Sequence, residues 1–230
     1  MELSPRLAAI AAQVPKGSRL ADVGTDHAYL PTALLLEGTI VSAVASDVNP
    51  GPLARGREAA RQAGVADRID FRLTDGLSGL DGGGIDVVVV AGMGGELIAR
   101  ILSQAPWTRG VLLLLQPMTA QPELRRWLTE NGYEISRETV VREGKKLYTI
   151  LAVRGGESPP YALGELWAGR QQKGEDCPLR LDLLDDLLRR RRRALDGMLK
   201  SSLQQAGAEE ERELIAQLEQ MRKEWIAWQP

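Results

Sequence analysis

The first two-thirds of the chain alternates short apolar runs with segments whose apolar positions recur at helical spacing, the signature of repeated βαβ units. Ser4-Pro5 reads as a helix cap followed by proline at the first helical position, and Leu7, Ile10, Ala11 and Val14 give that helix one apolar face. Five strands are predicted over residues 19–23, 40–47, 69–73, 85–91 and 111–116. The fourth is almost wholly β-branched, as a strand buried on both faces should be. Helices are predicted between them over 29–37, 50–63, 96–104 and 123–131, the second closed by Gly64 and the last by Gly132. Two further strands, 134–141 and 147–153, lie close enough to pair as an antiparallel hairpin. The sum is an α/β fold with a seven-stranded, mostly parallel sheet of Rossmann-like type.

The pattern changes after the Gly/Ser/Pro-rich stretch 155–160, which reads as a boundary between a domain over 1–156 and a second over 161–230. Leu184, Leu188, Leu195, Met198 and Leu199 form one apolar stripe. Leu214, Leu218, Met221, Trp225 and Trp228 form another at heptad spacing. With a turn at Gln205-Ala206-Gly207, the second domain reads as a coiled-coil-like helical hairpin. Its first helix carries five consecutive arginines, Arg189 to Arg193, and with Lys200 against Asp196 alone the segment 189–200 has a local charge of +5. Successive helical residues turn by about 100°, so the run wraps the helix and brings Arg191 near the seam. Asp182, Asp185 and Asp186 one turn earlier are too few to neutralise it. Arg189, Arg190, Arg192 and Arg193 are therefore expected to reach phosphates.

Composition narrows the function classes. The 230 residues are 43% hydrophobic and 26% charged, ordinary for a globular chain, and the net charge of −2 is no global field for nucleic acid. No apolar run approaches the roughly 20 residues that a membrane-spanning helix needs. One cysteine and one histidine leave little for a metal site, and the lone cysteine suggests a reducing, cytoplasmic setting.

In a parallel α/β sheet, ligands bind beyond the carboxyl ends of the strands, so chemistry is sought there. The first such loop, Asp22-Val23-Gly24-Thr25-Asp26-His27-Ala28-Tyr29-Leu30-Pro31, has one glycine where backbone must approach a ligand. An acid, Asp26, stands where a dinucleotide site would place its second glycine. A carboxylate repels pyrophosphate but attracts an ammonium, so the loop favours S-adenosylmethionine over NAD or FAD. Asp47 ends the second strand, 25 residues after Asp22, where an acid accepts hydrogen bonds from ribose hydroxyls, and Val48 can cover one face of an adenine. Asp75-Gly76 follows the third strand, placed for the adenine amino group. Ala91-Gly92-Met93-Gly94-Gly95 follows the fourth, with three glycines in four residues. Its backbone, rather than a side chain, would hold a target base at Gly94 and Gly95, and Gln116-Pro117 after the fifth strand would line the same pocket. Asp26 is the candidate catalytic side chain, by accepting from a target amino group; His27 is expected to touch the donor without acting as a base. Metal ligands are not expected.

The motifs DVGTDHAYLP (22–31), ASDVN (45–49), TDGL (74–77), VVAGMGG (89–95) and QPM (116–118), with the stretch 124–153, resemble the bacterial tRNA adenine-22 N1-methyltransferases. The likeness covers about residues 3–153. It implies a class I methyltransferase fold, S-adenosylmethionine as donor and N1 of adenine 22 in tRNA as acceptor. It also implies donor contacts at Asp22, Gly24, Asp26, His27, Asp47, Asp75, Gly76 and 91–94. The expected partner is tRNA and the expected state a monomer, with dimerisation through the C-terminal helices as the alternative. Competing readings are a small-molecule or other-RNA methyltransferase, a nicotinamide oxidoreductase, and a non-catalytic RNA-binding factor on the same fold.

Overall fold

The computed structural model describes residues 2–200 and 207–228. Two compact units divide the chain, Met1–Pro159 and Pro160–Pro230. In the first, helix α1 (Pro5–Ala11) starts at Ser4, whose side chain accepts from the Leu7 amide. Strands β1 (Ser18–Val23), β2 (Ile40–Asp47), β3 (Ile69–Leu73), β4 (Val87–Gly94), β5 (Leu112–Thr119), β6 (Tyr133–Glu143) and β7 (Lys146–Gly155) make one sheet in the order β3-β2-β1-β4-β5-β7-β6. The first five run parallel, whereas β7 lies antiparallel to both β5 and β6.

Helices α2 (Tyr29–Leu36), α3 (Pro50–Gln62), α4 (Gly95–Ser103) and α5 (Gln121–Glu130) fill the crossovers. The alternation of side chains along β4 and β5 explains how both faces are covered. Val87, Val89, Leu112 and Leu114 enter a core with Ile10, Leu30 and Leu34, while Val88, Val90, Leu113 and Leu115 enter another with Ile98, Leu102 and Leu124. Full burial of each such side chain contributes about 1.5–3 kcal/mol, so the middle of the sheet is the rigid part of this unit. Arg125 on α5 is wholly buried and pairs with Glu138 of β6 at 2.6 Å, fixing the antiparallel end of the sheet to that helix.

Two predicted loops are corrected. β4 runs on through Met93 to Gly94, and β5 through Gln116 and Pro117 to Thr119. The cause is a bulge. Pairing slips between Ala91 and Met93 and again between Met93 and Gly94, so that Met93 faces Pro117 and Gly94 faces Thr119, while the Gly92 amide donates to Gln116 Oε1 at 3.1 Å.

The second unit contains α6 (Leu163–Ala168), α7 (Arg180–Lys200) and α8 (Ala208–Trp228). Ion pairs of Asp185 with Arg222 and Arg192 with Glu219 show that α7 and α8 run antiparallel. Leu184, Leu188, Leu214, Leu218, Met221 and Trp225 are buried between helices, with Leu183 and Leu187 beside them, but Leu199 is 47% exposed. Gln205 and Ala206 of the expected turn lie outside the described residues. Arg180, fully buried, donates to the Ala168 and Arg170 carbonyls and to Glu175, tying the start of α7 to the segment after α6.

The charge ledger of the arginine run is also corrected. Asp186 pairs with both Arg189 and Arg190, and α8 supplies Glu219 to Arg192 and Glu211 to Arg191. Asp186 is the neighbour one turn earlier, whereas the two glutamates stand across the hairpin, where local sequence does not show them. Among the described residues, Arg193 alone of the five carries no ion pair.

Candidate functional site

Strands β1, β2, β3 and β4 end on one edge of the sheet, and a cleft of about 500 Å³ opens there. Asp22, Gly24, Thr25 and Asp26 from β1 and its loop line it, with Asp47 and Val48 from β2, Asp75 and Gly76 after β3, and Ala91, Gly92 and Met93 from β4. Ten of the twelve residues expected to touch a donor, with Thr25 of the same loop beside them, therefore meet in one place. The other two, His27 and Gly94, are not part of the lining. Nor are Gly95, Gln116 and Pro117. Gln116 and Pro117 are buried in β5. A Cβ on Gly95 would stand 2.2 Å from the Ala120 carbonyl oxygen, so this glycine lets α4 approach α5 closely.

Asp22 is nearly buried and accepts a hydrogen bond from Thr25 Oγ1 at 2.5 Å. Burial pushes its carboxyl up to about 6; the Thr25 bond opposes this and the nearby Asp47 charge adds to it. No cation pairs with Asp22 among the described residues, so the group is suited to a cationic ligand. Gly24 has φ +71°, a left-handed backbone that favours glycine, and a Cβ there would stand 2.2 Å from Met93 Cε, the end of a flexible side chain that would have to move aside. Its amide and that of Thr25 donate to the Ser46 carbonyl, locking the loop to β2. Asp47 accepts from the Asn49 amide at Oδ1 (2.8 Å), which aims the carboxylate over the cleft. Val48 is 56% exposed at the rim. Asp75 stands 3.8 Å from Arg100. Asp26 is largely exposed, 3.3 Å from His27 Nε2.

His27 and Ala28 both adopt left-handed backbone, φ 61° and 52°, which costs about 1–3 kcal/mol for each residue other than glycine. Gly56 of α3 makes room, since a Cβ there would stand 3.0 Å from Ala28 Cβ and 3.1 Å from the His27 carbonyl carbon. Arg55 Nε donates to His27 Nδ1 at 3.3 Å, leaving the ring proton on Nε2 toward Asp26.

Several cleft residues escape a reading of strand-end loops, among them Arg100 and its neighbours on α4, Tyr29 and Arg6. Tyr29, the first residue of α2, was visible in that loop as a helix start only. Arg6 lies in α1, far from any strand end in sequence. Its NH1 donates to Gln116 Oε1 at 2.6 Å, the oxygen that also receives the Gly92 amide, and its guanidinium lies 5.4 Å from the Tyr148 ring centre. Only the Ser4-Pro5-Arg6 helix start hinted that α1 is placed for more than packing.

A sheet of this order with aspartates at the tips of β1 and β2 and just beyond β3 defines a class I methyltransferase. The Methyltransferase domain family matches residues 3–151. The tRNA (adenine(22)-N(1))-methyltransferase of Bacillus subtilis (strain 168) is 34% identical over 159 residues, 68% of this chain and 67% of that one. Among solved structures, the B. subtilis m1A22 tRNA methyltransferase TrmK superposes with a TM-score of 0.86 at 26% identity, covering 96% of this chain and 99% of its own. A Streptococcus pneumoniae protein solved in complex with S-adenosyl-L-methionine gives 0.80 at 32% identity, covering 93% and 100%. The chain belongs to the tRNA (adenine(22)-N(1))-methyltransferase family.

Proposed function

We propose that this protein transfers a methyl group from S-adenosylmethionine to N1 of adenine 22 in tRNA, acting in the cytoplasm. The observation that carries the reading is the buried Asp22 carboxylate, unpaired with any cation among the described residues, in one cleft with Asp47, Asp75 and the left-handed turn at Gly24. These residues fit the donor. Asp22 and Asp26 offer negative charge to its amine, Asp47 accepts from its ribose, and Val48 and Asp75 flank its adenine. When bound, the donor would supply a sulfonium methyl group for in-line transfer: the bond from adenine N1 to the methyl carbon forms as the carbon–sulfur bond breaks, and its electron pair leaves with the neutral thioether S-adenosylhomocysteine.

Adenine N1 is neutral and carries a lone pair at physiological pH, so the residues need not remove a proton. Their work is positioning and exclusion of water. The backbone at Gly92, held by Gln116 and Arg6, forms the wall of the cleft on the acceptor side. Positive charge develops on the base as its N1 is alkylated, and the backbone carbonyls of Gly92 and Met93 or the Asp26 carboxylate, all at the cleft, can receive the exocyclic amino group that shares it. Adenine 22 belongs to the folded body of tRNA, so access to its N1 calls for local opening of the tRNA or for turning the base out.

The second unit supports a polyanionic partner. A groove of about 640 Å³ is lined by Arg189, Arg192, Arg193, Arg222 and Lys223 against Asp185, Asp196 and Glu219. Incubation of the purified protein with S-adenosylmethionine and unmodified tRNA, followed by nucleoside mass spectrometry, tests the reading. 1-Methyladenosine should appear, and its absence would refute it.

A further inference from the structure

Tyr29 is the one aromatic side chain among the residues lining the cleft, in a chain with only four tyrosines, five tryptophans and one phenylalanine. It is 43% exposed, although a ring at a helix start could have been buried with Leu30 beside it, which is 2% exposed. One face is already backed. The His27 imidazole stacks on it with centroids 5.3 Å apart and planes 24° from parallel. His27 is itself fixed by Arg55 and by the left-handed turn that Gly56 accommodates. The chain therefore holds two consecutive strained residues in a geometry whose visible product is a braced, half-open ring at the cleft. Strain of this kind persists where surrounding structure over-determines it, and it clusters at ligand sites.

Resting on the methyltransferase reading, we infer that Tyr29, braced by His27, is the stacking platform for the adenine turned out of the tRNA. A purine needs an aromatic or apolar face when it leaves its stack, and a ring whose far side is already supported offers one at little entropic loss. The remaining lining offers no second ring. Asp22, Asp26, Asp47 and Asp75 offer charge, Arg6 and Arg100 are cations, and Leu7, Met93, Leu97 and Ile101 are apolar but present no flat face for a purine to stack on.

Y29L, Y29F and Y29W test this in the full-length protein. Methylation of unmodified tRNA should lose about 5- to 150-fold in kcat/KM with Y29L, the range that loss of one base–aromatic stack gives. Y29F and Y29W should stay within about threefold, and all three should bind S-adenosylhomocysteine within about twofold of wild type. A tRNA with 2-aminopurine at position 22 should be dim when bound to wild type and brighter when bound to Y29L. Wild-type activity with Y29L unimpaired would overturn the inference alone. So would a loss with Y29F equal to that with Y29L, which would point to the hydroxyl, or a matching loss of donor affinity, which would assign Tyr29 to the donor. A wild-type protein that methylates no tRNA would instead overturn the reading beneath it.

Discussion

Asp22 shows how much one residue's surroundings decide. Its type and place at the tip of β1 are plain in the sequence, but its burial is not, and burial is what lifts the carboxyl to about 6. The folded protein holds this proton more tightly than the unfolded chain does. The group's contribution to stability is therefore greatest below about pH 4 and is lost as pH rises through 6, by up to about 3 kcal/mol. D22N should remove that slope, so denaturant unfolding at pH 4.5 and 7 should show the variant gaining on wild type at the higher pH. Donor binding should run the other way. A cationic ligand prefers ionised Asp22, so affinity for S-adenosylmethionine should fall as pH drops below about 6, with a flatter profile in D22N. A wild-type profile flat from pH 5 to 8 would remove Asp22 from the donor site. Glycines divide similarly. Gly24 announced a close backbone approach, whereas the packing roles of Gly56 against His27 and Gly95 against Ala120 depend on contacts between elements distant in sequence.

Among elements, those whose periodicity is strong were legible, and most bounds of the helices and of β1, β2 and β3 agree with the pattern to within a residue or two. β4 and β5 were read too short because glycine and proline usually end strands, and here a bulge carries the ladder past them. That bulge gives Arg6 its part. With its NH1 on Gln116 Oε1, it holds the oxygen that fixes the Gly92 amide. Removal of a charged hydrogen-bond partner is worth about 1.5–3 kcal/mol, so R6A should lower kcat on tRNA at least tenfold while S-adenosylhomocysteine affinity changes little. Parallel losses in both would make Arg6 a donor residue. In the helical hairpin, the sequence displayed the arginines but not the glutamates facing them. Arg191 lies 3.6 Å from the buried Glu211 and 4.4 Å from the Trp167 ring centre, so R191A should lower the melting temperature. Arg193 is exposed and unpaired among the described residues, so R193A should leave melting unchanged and weaken tRNA binding, more at low salt. The opposite assignment of the two effects would show that the arginines do not divide between packing and phosphate contact.

At the scale of the molecule, the order β3-β2-β1-β4-β5-β7-β6 puts four strand ends and their acids on one edge, which is why loops far apart in sequence could be read together. No helix among the described residues is long and apolar enough to cross a membrane. What the sequence could not disclose is where the cations come to stand. Arg6 stands in the cleft, and the cationic groove lies in the second unit. Both follow from folding that brings residues together across more than a hundred positions or across a hairpin. The most direct test compares two otherwise identical unmodified tRNAs, one with adenine and one with guanine at position 22. Each is incubated with the protein and S-adenosylmethionine, and then copied by reverse transcriptase, which halts at a base methylated on N1. A halt at position 22 in the adenine transcript alone is the expected result; no halt there, or the same methylation in both, would contradict it.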